Sequence, residues 1–504
     1  MVSTFAQHDV VELTLTGPEQ PLPVGAEAPV TALVTHDDGE SISVPGFWDG
    51  GRRYLVRIAA SRPGRWSWST RSAAAELSGA TGEFTVVESE HPGPVRVANM
   101  FHFAHADGST HWHLGTTVYN WMHQSDELMA ETLDSIAEAG FTKLRFLVFP
   151  QTGAHVPRIP ELLPFEHDAD GGFDVRRPVP EFFHRLDAAV EALGARGMQA
   201  DVLIFNAYDN GRVGLDALSE DDDAIYLRYL VARLAAHPHV WWSLCNEFDL
   251  MQRPWSRWDA MGELLREVDP YDRLRSIHNW IELFDHNRPW VTHASIQNAL
   301  APADFGRAVL YRDAYRKPIV LDEFKYEGDT VERWGNLTGA ELVHRFWITT
   351  VSGCHGTHGE SFVKPDDGLH MVEGGTLQGE SPTRLRFLLD TLRSLWVTGL
   401  DPIDKWDDPA FVAGVARQQY VQYLGRSAPA EWVFRLPQGN TGDRLQPGDA
   451  FEVTIIDTWN MTRTPVEGRF VLDDVRRNDA FATASEPVPL PAGEALALLI
   501  TRVD

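Results

Sequence analysis

Two glutamates in this 504-residue chain end apolar runs: Glu247 follows VWWSLCN and Glu323 follows PIVLD. A carboxyl at such a position is costly to bury unless it is paired or used. Two that face each other suit glycoside hydrolysis, in which one protonates the leaving oxygen and the other attacks the anomeric carbon. Two unrelated salt bridges are the plainer alternative. For the chemistry to work, the chain must bring the ends of two separate strands to one place.

The rest of the pattern offers a scaffold that does so. From about His111, short apolar strands alternate with helical segments: HWHLGTTVYNW, KLRFLVFP, QADVLIFN, VWWSLCNEF, LRSIHNW, PWVTHASIQN, PIVLDEFKYEG and GCHGTHGESF. Ser125, Pro180, Ser219 and Thr338 read as helix entries, and Asp221, Asp222 and Asp223 favour a helix start over a cation site. Counted as eight strand–helix pairs, the pattern predicts an α/β fold, a (β/α)8 TIM barrel. Strands four and seven then face each other, and their carboxy-terminal ends hold the two glutamates. No Gly-rich phosphate loop follows a strand, which argues against a nucleotide-binding sheet. VELTLTG, TALVTHDDG and YLVRIAA before the barrel, and YVQYLG, FEVTIIDTW and ALALLITRV after it, alternate as strands of sandwiches. The expected domains are 1–98, an N-terminal β-sandwich; 99–400, the barrel; and 401–504, a C-terminal β-sandwich.

Composition narrows the partners. A net charge of -28 argues against nucleic acid and anionic membranes. Large cores account for most of the 17 tryptophans, and a few at strand ends suit stacking on sugar rings, in keeping with a carbohydrate substrate. Two cysteines, Cys245 and Cys354, rule out a disulfide framework and a four-cysteine zinc site. No run is apolar enough for a membrane span, and no secretory signal is visible at Met1–Val10, so the cytoplasm is the expected compartment. No cofactor is required, and the sandwiches leave room for a homo-oligomer.

An Asn-Glu pair ending strand four and a Glu ending strand seven resemble the clan of retaining TIM-barrel glycosidases that holds cellulases, mannanases and β-galactosidases. The resemblance implies that Glu247 is the acid/base, Glu323 the nucleophile, and Asn246 a hydrogen-bond partner of the hydroxyl beside the anomeric carbon. It implies that Arg145, in LRF, supports the ionised nucleophile and that His293, ending strand six, contacts substrate. The whole-chain order, with FWDG and GRW early and THGESF and GGTLQGESP late, resembles a narrower group with an amino-terminal sandwich and a collagen-binding-like carboxy-terminal one. The chain departs from the clan where a strand-eight Trp is usual and has Ser295 in place of a Tyr, so a small or unusual sugar, a furanose or a modified pyranose, is expected.

Further substrate contacts are expected from polar and aromatic residues near strand ends: Tyr119, Trp121, Asn206, Asp209, His278, Asn279, Trp280, His355, His358 and Glu360. The last three also invite a metal reading, since imidazole plus carboxylate suits zinc, although the spacing is not HExxH. A metal-dependent hydrolase, a non-catalytic carbohydrate-binding barrel and a transglycosidase are the competing functions. The favoured expectation is retaining, exo-acting hydrolysis of short oligosaccharides or glycosides.

Overall fold

The computed structural model describes residues 2–19, 29–153, 155–156, 160–169, 171–208, 214–303, 305–403, 411–426, 428–439, 444–493 and 495–503. At its centre are eight parallel strands: β1 (Gly115–Thr117), β2 (Lys143–Leu147), β3 (Gln199–Asn206), β4 (Val240–Asn246), β5 (Arg275–Ser276), β6 (Ala294–Gln297), β7 (Ile319–Glu323) and β8 (His355–His358). They pair in the order β5-β4-β3-β2-β1-β8-β7-β6. A parallel bridge between His278 and Ser295 joins the two ends, closing the TIM barrel. These strands are buried on both faces, β3 and β4 along their whole length, so they read as apolar runs rather than alternating ones.

Seven long helices surround them: α1 (Asp126–Glu138), α2 (Pro180–Gly194), α3 (Glu220–Leu234), α4 (Trp255–Val268), α5 (Phe305–Tyr315), α6 (Gly339–Val351) and α7 (Ser381–Arg393). The expected starts are where side chains cap the first turn. Ser125 accepts from Leu128 N–H, and Thr338 from Glu341 N–H. Ser219 and Asp222 form a reciprocal capping box. Asp223 is buried and binds Arg253 and Arg257, so the acidic triplet is a helix start with an ion-pair anchor. The expectation of eight strand–helix pairs needs one correction. β5 and β6 are joined by turns with no helix, because residues 281–292 are interrupted by Asp, His, Asn and Pro.

The amino-terminal region forms an all-β lobe whose seven strands run in the order Ser3–Ala6, Thr81–Val87, Gly64–Arg71, Thr31–His36, Ser41–Gly50, Arg53–Ala59, Val10–Thr16. Its FWDG segment docks the lobe on the barrel. Phe47 packs edge-on to Tyr229 of α3 with the Arg57 and Arg233 guanidiniums over its ring. Asp49 pairs with Arg233 at 2.9 Å, and Asp187 of α2 joins Arg57 and Arg233. Single removal from this buried cluster leaves an uncompensated charge, which costs about 3–5 kcal/mol. The carboxy-terminal lobe is a second β-structure with its own core around Tyr420, Trp432, Phe434 and Phe451. It meets α6 through Tyr423, which stacks on Trp347 and hydrogen-bonds His344. Among the described residues no helix is long and apolar enough to cross a membrane.

Candidate active site

A cavity of about 840 Å³ opens at the carboxy-terminal ends of the barrel strands, and both Glu247 and Glu323 line it. Glu247 follows the last residue of β4 and turns into the cavity through a left-handed backbone, φ 52°. For a non-glycine residue that conformation costs of order 1 kcal/mol, a strain that persists only where surrounding structure enforces it. Burial, and then the neighbouring Glu323 charge, push its carboxyl up to about 8, although Tyr208 and Gln297 reach it and pull the other way.

Glu323 ends β7 and is held in the opposite state. Burial alone would raise it, but His278, Arg145 and Tyr119 outweigh burial and hold it at about 2. The supporting groups gather on one oxygen. Oε1 accepts from the Tyr119 hydroxyl and lies 3.4 Å from Arg145 Nη1, 3.5 Å from Asn246 Nδ2 and 3.4 Å from His278 Nε2. The carboxylate lines the cavity, and the Tyr326 hydroxyl also approaches it. Arg145 also donates to Asn246 Oδ1 at 2.5 Å, locking the amide so that its Nδ2 points at Glu323 and at Tyr208 Oη, 2.6 Å away.

Below the glutamate lies a buried polar layer. Lys143 pairs with Asp201 at 2.6 Å and with Asp322 at 3.1 Å; Thr357 and Ser295 both donate to Asp322 at 2.6 Å. Ser295 in turn meets His278 Nδ1 at 2.9 Å, so a continuous chain of contacts runs from Asp322 to the ring beside Glu323. Despite its burial, Asp322 is held well below the usual carboxylate range by Lys143 and Arg145.

The structure therefore brings together Glu247, Glu323, Asn246, Arg145, Tyr119, His278 and Trp280. It places the other candidates elsewhere. Asn206, at the end of β3, is buried and holds the chain: its amide donates to Phe149 O and accepts from Tyr208 N–H. The Asn279 side-chain amide donates to Gln297 O and accepts from Gln297 N–H. Trp121 is a core residue donating to Met129 O. Asp209 lies outside the described residues.

His293 does not end strand six. It precedes β6, and its ring packs on Trp241 and Phe103 at the opposite end of the barrel. Inward positions on a strand recur every two residues, so His293, Ser295 and Gln297 occupy successive layers, and it is Gln297 that reaches the cavity. His355 begins β8 and meets Phe101 O at that same floor. On β8 the inward place beside Asp322 belongs to Thr357, so His358 faces outward, bonded to Thr116 and stacked on Phe141.

Glu360 is buried and accepts from the amides of Gln378 and Gly379, while Glu327 accepts from those of Glu380 and Ser381. The THGESF and GGTLQGESP segments are thus two halves of one lock at the start of α7. Burial raises Glu360 to about 7. Among the described residues no three His, Cys, Asp or Glu side chains are grouped as metal ligands. Sequence reasoning missed Gln297, the last residue of β6, and Tyr208 and Tyr326, which line the cavity from beyond the ends of β3 and β7.

Comparison with known proteins places the family and the fold. A model of the apiosidase-like catalytic domain matches residues 98–427, and two domains of unknown function, DUF5060 and DUF5605, match 4–73 and 406–501. The crystal structure of a candidate glycoside hydrolase from Bacteroides vulgatus is 31% identical, covers 99% of this chain and 100% of its own, and superposes with a TM-score of 0.93. A family 5 glycoside hydrolase from the same organism, 13% identical over 81% of this chain and 93% of its own, shares the fold with a TM-score of 0.61. No curated protein matches the sequence. With its family model spanning well over half of the residues, the chain belongs to the apiosidase-like catalytic-domain family, on a TIM-barrel scaffold flanked by two β-rich lobes.

Proposed function

We propose that this protein is a retaining glycoside hydrolase that removes a terminal sugar from short oligosaccharides or glycosides. The observation that carries the reading is the opposition of two carboxyls in one cavity. Glu247 at about 8 keeps its proton at neutral pH, and Glu323 at about 2 has lost it. Pairs of titrating groups pushed apart in this way mark an acid and a nucleophile.

The Glu323 carboxylate attacks the anomeric carbon while Glu247 passes its proton to the departing oxygen. The resulting glycosyl ester on Glu323 is then cleaved by water, from which Glu247, now ionised, takes a proton. The donors on Oε1 keep the carboxylate ionised and oriented, so little reorganisation is needed as charge leaves it. Exo attack on short substrates suits a cavity of about 840 Å³ at the barrel mouth. The apiosidase-like family and the absence of a strand-eight Trp favour a furanoside. A nitrophenyl glycoside screen that includes apiofuranosides and arabinofuranosides tests this, with wild type compared against Glu323→Gln. Turnover should be confined to wild type. Equal turnover by the variant, or a product of inverted configuration, would overturn the reading.

A further inference from the structure

The reading above fixes which side of the cavity receives the leaving group, because Glu247 must reach the oxygen that departs. The structure builds something specific there. Asp249, two residues beyond Glu247, accepts three consecutive backbone amides from the turn after β5: Trp280 at 2.5 Å, Ile281 at 2.7 Å and Glu282 at 2.7 Å. Phe248 N–H adds a bond to His278 O, and Asn279 ties the same turn to Gln297 of β6. The segment bearing the acid and the segment bearing Trp280 are therefore stitched into one unit.

That unit holds apolar side chains out of the core. Trp280 is 44% exposed and Ile281 67% exposed, and both line the cavity beside Glu247. Apolar groups that a fold holds rigidly at a cavity mouth mark a binding surface. Trp334, 37% exposed and edge-on to Tyr326, also lines the cavity. The volume, about 840 Å³, is of the size that encloses a drug-sized ligand, well beyond one monosaccharide.

We propose that Trp280 and Ile281 form the leaving-group subsite and that its occupant is a flat, apolar ring system, a phenolic aglycone, in place of a second sugar. The proposal rests on the glycosidase reading for its orientation and on Ile281 for its chemistry. A sugar ring stacks on Trp but carries hydroxyls around its edge that need polar partners. The residue next to Trp280 is instead a branched aliphatic chain, which offers contact area and no hydrogen bond. An aromatic aglycone satisfies both, stacking on the indole and covering the isoleucine.

The test titrates the full-length Glu323→Gln protein with 4-methylumbelliferone and, separately, with cellobiose, by isothermal calorimetry. Umbelliferone should bind saturably, about tenfold more weakly after Trp280→Ala and severalfold more weakly after Ile281→Ser. Ile281 is exposed, so the second variant keeps the fold intact. Cellobiose binding that is stronger than umbelliferone binding and is lost in Trp280→Ala would assign the platform to a sugar and overturn the proposal. So would umbelliferone binding that neither substitution weakens. A separate outcome, full activity of Glu323→Ala on glycosides, would overturn the glycosidase reading itself, whatever umbelliferone does.

Discussion

Replacing Glu323 by Gln should lower the titration midpoint of Glu247, and the size of the fall tests whether the two carboxyls work as a pair. Glu247 sits at about 8 because of burial first and the Glu323 charge second. The substitution keeps the burial and removes the charge. Two unit charges about 5.5 Å apart, the separation of a retaining pair, interact by roughly 3 kcal/mol at an effective dielectric of about 20. That corresponds to a fall of about two pH units. The midpoint should drop to about 6 and stay above the usual carboxylate range, because the cavity wall is unchanged. The variant should not turn over, so the assay is spectroscopic: carboxyl-carbon NMR of labelled glutamate, with Glu247→Gln identifying the signal. A midpoint that stays near 8 would show that the neighbouring charge is not what raises Glu247, and the argument for an acid–nucleophile pair would fail.

Other consequences follow from the same geometry. In wild type, kcat/KM should fall above about 8, tenfold per pH unit, as Glu247 loses the proton it must donate; a profile flat to pH 10 would contradict this. A carboxyl raised in the folded state costs stability once pH exceeds its unfolded value, so Glu247→Gln should raise Tm at pH 9 and leave it unchanged at pH 4. Arg145→Met strands the buried carboxylates Asp322 and Glu323 and should cost about 3–5 kcal/mol in denaturant titrations. His293 and His355 are pushed down to about 3 by burial in the barrel floor, with His111 and His113 also well below 6.5. The unfolded chain therefore binds more protons below 6.5, and Tm should decline steadily from pH 6.5 toward pH 3, less steeply in His293→Phe, whose glycosidase activity should match wild type.

How much of this was legible in the sequence depends on where a residue sits relative to a strand end. VWWSLCN and PIVLD are long apolar runs, so Glu247 and Glu323 could be placed at the barrel mouth from pattern alone. Arg145 and Asn246 came with them, through resemblance. His293 was misplaced because β6 is only four residues long and begins after it, and on a period of two a small error in register exchanges mouth for floor. His358 failed for a related reason, since Thr357 takes the inward position on β8. Tyr208, Gln297 and Tyr326 lie just beyond apolar runs, where a single polar or aromatic residue carries no periodic signal. Of the amide lock, only Glu360 and its amide partners were visible as motifs, because the bonds of Glu360 and Glu327 join segments 18 and 53 residues apart through backbone.

The central claim, that Glu323 forms the bond to the sugar, is tested most directly by trapping that bond. A 2-deoxy-2-fluoro glycoside with a dinitrophenolate leaving group, made for whichever sugar the screen identifies, should inactivate the enzyme and leave one glycosyl adduct. Peptide mass spectrometry should place the adduct on Glu323, and Glu247→Ala should still acquire it, since that leaving group departs without a proton. An adduct on Glu247, or rapid turnover to inverted product with no adduct on any residue, would contradict the account.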